Sequence, residues 1–254
     1  MIDTHAHLYL PEFDRDLNEV IQHAKENGIE EIWIPCTNFE SMQAMEKLRD
    51  LFPGYFCFFA GLHPEDIHAD FKEELKKIHS LLEANSYSGI GEIGLDLYWD
   101  KTHLKEQTEA FTIQLDWAIE RNQPVLIHIR NAFDEVMPLI RPYYTKGLKG
   151  IFHCFGGTLD QANELTLQGG FLLGMNGNIT YKKASVATFL KNIPLQYIVT
   201  ETDSPYLTPV PHRGKRNESQ YIPLIIQKLS EIYELPVAQI QKQTVLNARN
   251  LLAI

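Results

Sequence analysis

Short apolar runs alternate with amphipathic stretches along the whole chain of 254 residues. The apolar positions of the segment Leu104–Arg121 recur at the spacing of one helical face, which predicts an amphipathic helix. The apolar runs between such segments are short and nearly continuous, as is typical of strands that are covered on both sides. The pattern therefore predicts strands that alternate regularly with helices.

This alternation predicts the fold class. The predicted strands are Ile2–His7, Glu31–Cys36, Tyr55–His63, Ser88–Asp96, Pro124–Ile129, Gly150–Phe155, Gly170–Gly177 and Tyr197–Thr202. The predicted helices are Phe13–Asn27, Phe39–Leu51, Phe71–Ala84, Leu104–Arg121, Ala132–Tyr144, Leu159–Gln168, Ala184–Asn192, Tyr221–Tyr233 and Val237–Leu252. Eight such units without a linker predict a single (β/α)8 TIM barrel domain over residues 1–254. An open doubly wound sheet is the alternative, although Gly89–Gly94 lacks the glycine spacing of a dinucleotide-binding turn.

The composition is that of a globular protein with an acidic balance. Apolar residues make up 44% and charged residues 22%, which excludes disordered and coiled-coil classes. The net charge of −10 argues against a surface built for bulk nucleic-acid binding. It does not exclude nucleic-acid chemistry, because bound metal ions can reverse the sign of the local charge.

The cysteines and the apolar runs bear on location. Cys36, Cys57 and Cys154 give no disulfide framework, which predicts a reducing compartment and hence the cytoplasm. The opening MIDTHAHLYL lacks the features of a signal peptide. The longest apolar run, Tyr55–Ala60, is far shorter than the ~20 residues of a membrane helix, so we expect no membrane partner. No obligate protein partner is indicated either.

Two histidines end the first predicted strand. His5 and His7 are two residues apart, so their side chains face the same way on a strand. Two imidazoles that point together into a barrel favour a metal site. Histidines that are simply hydrogen-bonded in the core or at the rim are the alternative.

Further donor side chains occur near the C-terminal ends of other predicted strands, the rim where barrel enzymes place their sites. Together with His5 and His7 they are Glu92, His128, His153 and Asp203. These donors exceed the three or four protein ligands of a single zinc site, so we expect two divalent ions that share Glu92 as a bridging carboxylate. The imidazoles favour zinc, manganese or iron over magnesium, which prefers oxygen ligands.

Seven motifs in this order carry a resemblance to a known family. They are DTHAHL, GLHPED, GEIGLD, PVLIHIR, FHCF, ETDSPYL and HRGKRNE, and they extend over essentially the whole chain. The sequence resembles the TatD-type metal-dependent deoxyribonucleases of the amidohydrolase superfamily. The resemblance implies hydrolysis of DNA phosphodiester bonds, with 3′→5′ exonuclease character in some members of the family. It also implies magnesium-supported activity and two metal sites built by the six donors named above.

The expected mechanism assigns roles to the rim residues. A hydroxide held between the two ions would attack phosphorus, and Asp203 is the candidate general base. Glu201 and Asp96, and also Asp3, are candidates for fixing the ligand imidazoles by hydrogen bonds. The alternative for Asp203 is an ordinary turn residue before Ser204, and for Asp3 and Asp96 an ordinary polar residue at a strand end.

Substrate contacts are expected from cations and aromatic rings. Arg130 follows His128, and a basic loop with Arg213, Lys215 and Arg216 follows the last strand, so we predict that these arginines hold phosphate. His63 is a candidate substrate or phosphate contact. Aromatic residues that could stack on nucleobases are Tyr98, Trp99, Phe155 and Tyr206. A shallow rim favours a single strand or a chain end of DNA as the substrate.

Two other functions fit the same donors. One is hydrolysis of a small cyclic amide, lactone or phosphate ester by an amidohydrolase-type enzyme with the same two ions. The basic loop from Arg213 to Arg216 favours the phosphodiester. The other is a non-catalytic barrel that binds metal, which the full donor set argues against.

Overall fold

The computed structural model describes residues 1–98 and 101–253. Eight parallel strands form one sheet in chain order. They are β1 (Ile2–Asp3), β2 (Glu31–Pro35), β3 (Phe56–Ala60), β4 (Gly89–Asp96), β5 (Val125–Arg130), β6 (Gly150–Phe152), β7 (Leu172–Met175) and β8 (Ile198–Thr200). The N–H of Thr4 donates to Thr200 O over 3.0 Å, and Ala6 forms a bridge with Ser204, so the sheet curves back on itself into a nearly closed barrel. The predicted (β/α)8 barrel is confirmed.

The helices surround this barrel. They are α1 (Leu17–Glu26), α2 (Phe39–Leu51), α3 (Phe71–Ala84), α4 (Leu104–Arg121), α5 (Phe133–Tyr144), α6 (Leu159–Asn163), α7 (Ile222–Tyr233) and α8 (Val237–Leu252). Local sequence sets several of their ends. At the start of α2, for example, the Asn38 side chain accepts a hydrogen bond from the Ser41 N–H over 2.9 Å, which satisfies a free N–H of the first turn.

One predicted helix, Ala184–Asn192, is wrong. The structure has two short 3-10 turns there, Val186–Thr188 and Leu190–Asn192. Phe189 between them has φ −123° and ψ −7°, outside helical geometry, so the two turns do not merge. Buried Val186 and Leu190 provide the apolar spacing that suggested a helix.

The barrel interior has two layers. The lower layer is apolar and consists of Ile2, Trp33, Phe59, Leu126, Ile151, Leu172 and Val199, against which Ala248 and Leu251 of α8 pack. Three predicted site residues follow two positions after a member of this layer: His128 within β5, His153 directly after β6 and Glu201 directly after β8. Since side chains alternate along a strand, these three lie on the same face, one layer higher. The apolar layer is therefore a floor beneath the polar end of the barrel.

No helix within residues 1–98 and 101–253 is both long enough and hydrophobic enough to cross a bilayer.

Candidate metal centre

Glu92, buried on β4, lies at the centre of the polar layer. Its Oε1 is 3.0 Å from His128 Nδ1 and 3.0 Å from His153 Nε2. Its other oxygen, Oε2, is 3.2 Å from His5 Nε2 and 3.5 Å from His7 Nε2. One carboxylate therefore faces two separate pairs of imidazoles, one pair with each oxygen.

Asp203 lies on the same side of Glu92 as His5 and His7. Its Oδ1 is 3.4 Å from His7 Nε2 and 3.8 Å from His5 Nε2. Asp203 follows β8 with φ 58°, a left-handed conformation that turns the chain. The six predicted donors thus converge at one end of the barrel, as the sequence indicates.

The donor atoms have the spacing that a coordinated cation requires. Ligand bonds of about 2.0–2.2 Å place neighbouring ligand atoms roughly 3.0–3.5 Å apart. The Nε2 atoms of His5 and His7 are 3.1 Å apart, and the Glu92 contacts fall within the same interval. Three groups of side chains among the described residues could hold an ion: His5, His7 and Asp203; His5, Glu92 and His153; and His63, Glu92 and His128. The residues present therefore fit divalent cations.

Charge keeps the two acids ionised. Burial alone would raise the pKa of Glu92, but the imidazoles of His5 and His153 beside it hold that pKa well below its usual range. Burial also opposes ionisation of Asp203, yet the hydrogen bond from His7 and the neighbouring imidazoles lower its pKa. Both carboxylates are thus available as ligands.

Two further carboxylates lie near the ring nitrogens of His128 and His153 that face away from Glu92. Asp96 Oδ2 is 2.8 Å from His128 Nε2, and Glu201 Oε1 is 3.4 Å from His153 Nδ1. Burial would lower the pKa of each imidazole, but Asp96 and Glu92 raise that of His128, and Glu92 followed by Glu201 raises that of His153. Asp96 is hydrogen-bonded to an imidazole as the sequence analysis expects. Glu201 lies at ion-pair distance from His153, whose Nδ1 has no hydrogen-bond partner among the described residues.

The expectation for Asp3 is wrong. Its carboxylate accepts hydrogen bonds from the Thr202 N–H and hydroxyl and from the Ser219 hydroxyl, at 2.9, 2.7 and 2.6 Å. Toward His5 it contacts the backbone N–H, over 3.3 Å, and not the imidazole. Asp3 fixes the segments that follow β1 and β8 to each other, because it is fully buried between them.

His63 contributes a nitrogen that the ligand prediction leaves out. Its Nε2 is 3.5 Å from Glu92 Oε1, while its Nδ1 accepts a hydrogen bond from the Glu65 N–H over 3.1 Å. An imidazole that accepts at Nδ1 carries its proton on Nε2 when neutral. His63 therefore presents a donor to the cavity, which suits an anion better than a cation.

Tyr9 is a site residue that the sequence analysis missed. Its hydroxyl is 2.9 Å from His7 Nδ1, on the side of the ring away from Glu92. Burial raises the pKa of Tyr9 well above its usual value, so it stays a neutral phenol. Tyr9 lies in the turn after His7, in which the Leu10 N–H donates to His7 O over 3.1 Å, and no periodic pattern of the sequence marks it as a site residue.

An open cavity of about 1210 Å³ lies above these residues. Among the described residues that line it, the cationic side chains are Lys101 and Arg130. Carboxylates share the same rim: Glu65, Asp66, Asp134 and Glu135. The Arg130 guanidinium lies 3.8 Å from the centroid of the Tyr98 ring, with Glu65 at 3.9 Å. The rim therefore mixes both signs of charge.

The basic loop does not reach this cavity. Arg216 donates to both Asp16 oxygens, at 2.8 and 2.7 Å, and to Glu218 at 2.8 Å. Exposed Arg213 stacks on Tyr181 at 4.2 Å from its ring centroid. Neither arginine is among the described lining residues of the cavity, so the predicted phosphate contact is not supported for either. The phosphate prediction relied on the closeness of Arg216 to β8 in the sequence. In the structure, the Arg216 guanidinium instead binds Asp16, a residue distant in sequence.

The aromatic candidates divide between cavity mouth and core. Tyr206 lines the cavity and is 52% exposed, and Tyr98 is 48% exposed beside Arg130. Phe155 is buried against Phe133. Trp99 lies outside the described residues.

Comparison with known proteins identifies a family of metal-dependent enzymes, in agreement with the donor set described above. The sequence model described as TatD related DNase matches residues 2–253. The chain belongs to this family. It is 35% identical, over 100% of its length and 99% of the other protein, to an uncharacterized metal-dependent hydrolase, YabD, of Bacillus subtilis. It is 32% identical to a 3′-5′ ssDNA/RNA exonuclease TatD of Pectobacterium carotovorum, with 91% of each chain covered.

The fold comparison gives the same family. The crystal structure of YJJV, a TatD homologue of Escherichia coli, superposes with a TM-score of 0.90 at 28% identity, covering 100% of this chain and 98% of that one. The protein is thus a TatD-family, metal-dependent hydrolase.

Proposed function

We propose that this protein is a 3′→5′ exonuclease that hydrolyses phosphodiester bonds of single-stranded DNA with two divalent cations. The observation that carries the proposal is the placement of Glu92, which offers one carboxylate oxygen to His5 and His7 and the other to His128 and His153. A carboxylate so placed can bridge two cations. The exonuclease named above, 32% identical, supports the choice of reaction.

The proposed ligands are His5, His7, Glu92, His128, His153 and Asp203, and the proposed ions are magnesium, manganese or zinc. When bound, the cations would lower the pKa of the attacking water and neutralise charge on the phosphate. Asp203, ionised and at the cavity, accepts the proton of that water with the carboxylate oxygen that faces away from the imidazoles. His63 donates a hydrogen bond to the phosphate through Nε2, and Arg130 holds it from the rim.

The proposal also covers the domain organisation, the cellular location and the protein partners of the enzyme. We infer that the 254 residues act as one domain, in keeping with the family match over 2–253. The cysteines of the described chain are free, in keeping with a cytoplasmic location. No obligate protein partner is needed to complete the donor set.

Cleavage of end-labelled oligonucleotides tests the proposal. Apoprotein reloaded with Mg²⁺, Mn²⁺ or Zn²⁺ should shorten a 5′-labelled single strand stepwise from its 3′ end. A strand blocked at the 3′ end with a phosphorothioate linkage should resist. His128→Ala and Asp203→Asn, purified in parallel, should be inactive, and equal activity in these variants would reveal a contaminating nuclease.

The cavity rim also supports the runner-up, hydrolysis of a small phosphate ester, lactone or cyclic amide. Carboxylates outnumber cations among the described rim residues, and Arg213 and Arg216 lie elsewhere. An acidic rim repels the flanking phosphates of a polymer. Fast turnover of a small ester or amide, with intact DNA in the same assay, would favour this function over the exonuclease.

A further inference from the structure

Two long stretches of this acidic chain contain almost no acidic residues. Residues 165–200 have no aspartate or glutamate, and residues 202–217 have only Asp203, a proposed ligand. Glu201, between the two stretches, is buried in the polar layer. The same stretches contain six lysines and arginines: Lys182, Lys183, Lys191, Arg213, Lys215 and Arg216. The net charge of −10 is therefore unevenly distributed, and the loops that follow β7 and β8 carry positive charge.

The loops after β7 and β8 together form one wall of the cavity. Asn178 of the first loop and Tyr206 of the second line it. The two loops are hydrogen-bonded to each other, since the Tyr181 hydroxyl donates to Thr208 O over 2.9 Å. They therefore act as one surface at the mouth of the barrel.

Three cations of this wall are exposed and lie outside the cavity. They are Lys182, Lys183 and Arg213, here called the basic flank. Lys182 and Lys183 directly follow Tyr181, and the Arg213 guanidinium stacks on the Tyr181 ring at 4.2 Å from its centroid. This contact brings the cations of two loops together.

The charge of the basic flank is available to a ligand. Within residues 1–98 and 101–253, no salt bridge joins its three cations to a carboxylate. Two other cations of the acid-poor stretches differ in this respect. Lys191 is bound to Glu234 at 2.6 Å, and Arg216 is bound to Asp16 at 2.7 Å.

The carboxylates of the rim lie on other sides of the barrel mouth. Glu65 and Asp66 follow β3, which is four strands from β7 in the eight-stranded sheet and thus opposite to it. Asp134 and Glu135 lie in the first turn of α5, after β5. A polyanion that leaves the cavity across β3 or β5 meets carboxylates, whereas one that leaves across β7 and β8 meets cations.

We propose that the basic flank binds the phosphates of the single strand upstream of the scissile bond, so that the strand leaves the cavity across the loops after β7 and β8. The inference rests on the exonuclease activity proposed above and adds the path of the strand. Lysine and arginine contacts to phosphate are independent of base sequence and fix the position of a strand. Tyr206, 52% exposed at the cavity mouth, offers a ring on which a base can stack.

This path removes the conflict between an acidic rim and a polymeric substrate. The terminal nucleotide alone enters the cavity, and the flanking phosphates turn away from Glu65 and Asp134. Arg213 is suited to this task because its planar fork can hold a phosphate with two hydrogen bonds while its face remains stacked on Tyr181.

Binding of a labelled single strand to the metal-loaded protein tests the proposal. Fluorescence anisotropy with a strand of about 12 nucleotides, blocked at its 3′ end by a phosphorothioate linkage, gives the dissociation constant. A variant that combines Lys182→Ala, Lys183→Ala and Arg213→Ala should bind at least about tenfold more weakly. The slope of log Kd against log salt concentration should fall by about 2, because each phosphate contact to a single strand contributes about 0.7.

Lys191→Ala is the matched control for this triple variant. It removes a lysine of the same acid-poor stretch whose charge is already paired with Glu234, so affinity and salt slope should equal those of the wild type. Metal content should be unchanged in both variants. Unchanged affinity and slope in the triple variant, or an equal loss in Lys191→Ala, would overturn the proposal.

Cleavage of substrates of different length separates the flank from the cavity. A dinucleotide has no phosphate upstream of the scissile bond, so the triple variant should cleave it with the KM of the wild type. For the strand of about 12 nucleotides without the block, KM should rise at least about tenfold while kcat stays the same. An equal rise in KM for both substrates would place the three cations at the scissile phosphate and contradict the strand path.

These measurements also distinguish failure of the strand path from failure of the proposed function. Normal KM for the long strand in the triple variant would remove the path and leave the exonuclease in place. A wild-type protein that binds the strand through the basic flank but leaves it intact would keep the surface and remove the exonuclease. A wild-type protein that neither binds nor cleaves the strand would remove both.

Discussion

Glu201 lies directly against Gly174 on the neighbouring strand. A Cβ atom at position 174 would clash with Glu201 Oε2. The same carboxylate accepts hydrogen bonds from the Cys154 N–H at 2.6 Å and from the Asn176 amide at 3.2 Å. The bare backbone of β7 thus creates the space in which Glu201 can reach His153.

Gly174→Ala should therefore act like a change in Glu201 itself. The added methyl group displaces the carboxylate from His153, and we expect kcat/KM to fall about 10–100-fold, as for Glu201→Gln. Steady-state kinetics on a labelled oligonucleotide, with metal content measured in each variant, would check this. Full activity in Gly174→Ala would contradict it.

Removal of metal should lower thermal stability. A cation at a hundredfold excess over its dissociation constant stabilises the folded state by about 2.7 kcal/mol. For a chain of this size, about 2–4 °C accompany each kcal/mol, so each ion bound at that excess should raise Tm by roughly 5–10 °C. Differential scanning calorimetry of the chelated and reloaded protein measures the shift. Glu92→Gln should show little shift, and an equal shift there would place the stabilising ion elsewhere.

His63→Ala should separate substrate binding from metal binding. Because Nδ1 of His63 accepts a hydrogen bond, the neutral ring carries its proton on Nε2, which contacts phosphate and not a cation in the proposed mechanism. Loss of one hydrogen bond to a charged group costs about 1.5–3 kcal/mol, or roughly 10–100-fold in kcat/KM. Metal content by elemental analysis should stay at the wild-type value. A loss of metal would make His63 a ligand.

Arg216 and Arg130 should have opposite phenotypes. Arg216 is bound to Asp16 and Glu218, so Arg216→Ala should reduce the free energy of unfolding by about 0.2–1 kcal/mol and leave KM unchanged. Arg130→Ala removes a cation from the cavity rim and should raise KM. Urea unfolding and steady-state kinetics on the same preparations would distinguish the two roles, and a raised KM in Arg216→Ala would restore Arg216 as a substrate contact.

The Arg216–Asp16 pair should also depend on pH. The hydrogen bond from Arg216 lowers the pKa of Asp16 below its usual value of 3.8. The stabilisation is therefore fully present above pH 3.8 and is lost as the pH falls through the lower pKa of the folded state. The stability difference between wild type and Arg216→Ala should persist at pH 6 and shrink below pH 3.8. A difference that persists below that pKa would assign the stabilisation to packing on Phe13.

The sequence analysis predicts correctly those features that depend on residues close together in the chain or on a general rule of the fold. The bounds of α4, Leu104–Arg121, follow from periodicity because one face packs on the barrel. His5 and Asp203 could be related through the rule that one rim of a barrel carries the chemistry. The contact of Arg216 could not be predicted, because its partner Asp16 lies near the other end of the sequence and no local pattern connects the two residues.

The apolar floor of Trp33, Phe59 and their neighbours, covered by α8, has a consequence for how a polymer would be processed. A strand cannot thread through the barrel as it would through a ring, so substrate enters and product leaves by the same mouth. In the proposed exonuclease, the freed nucleotide would then have to escape before the shortened strand could advance. This geometry favours short, repeated encounters at a strand terminus over continuous travel along it.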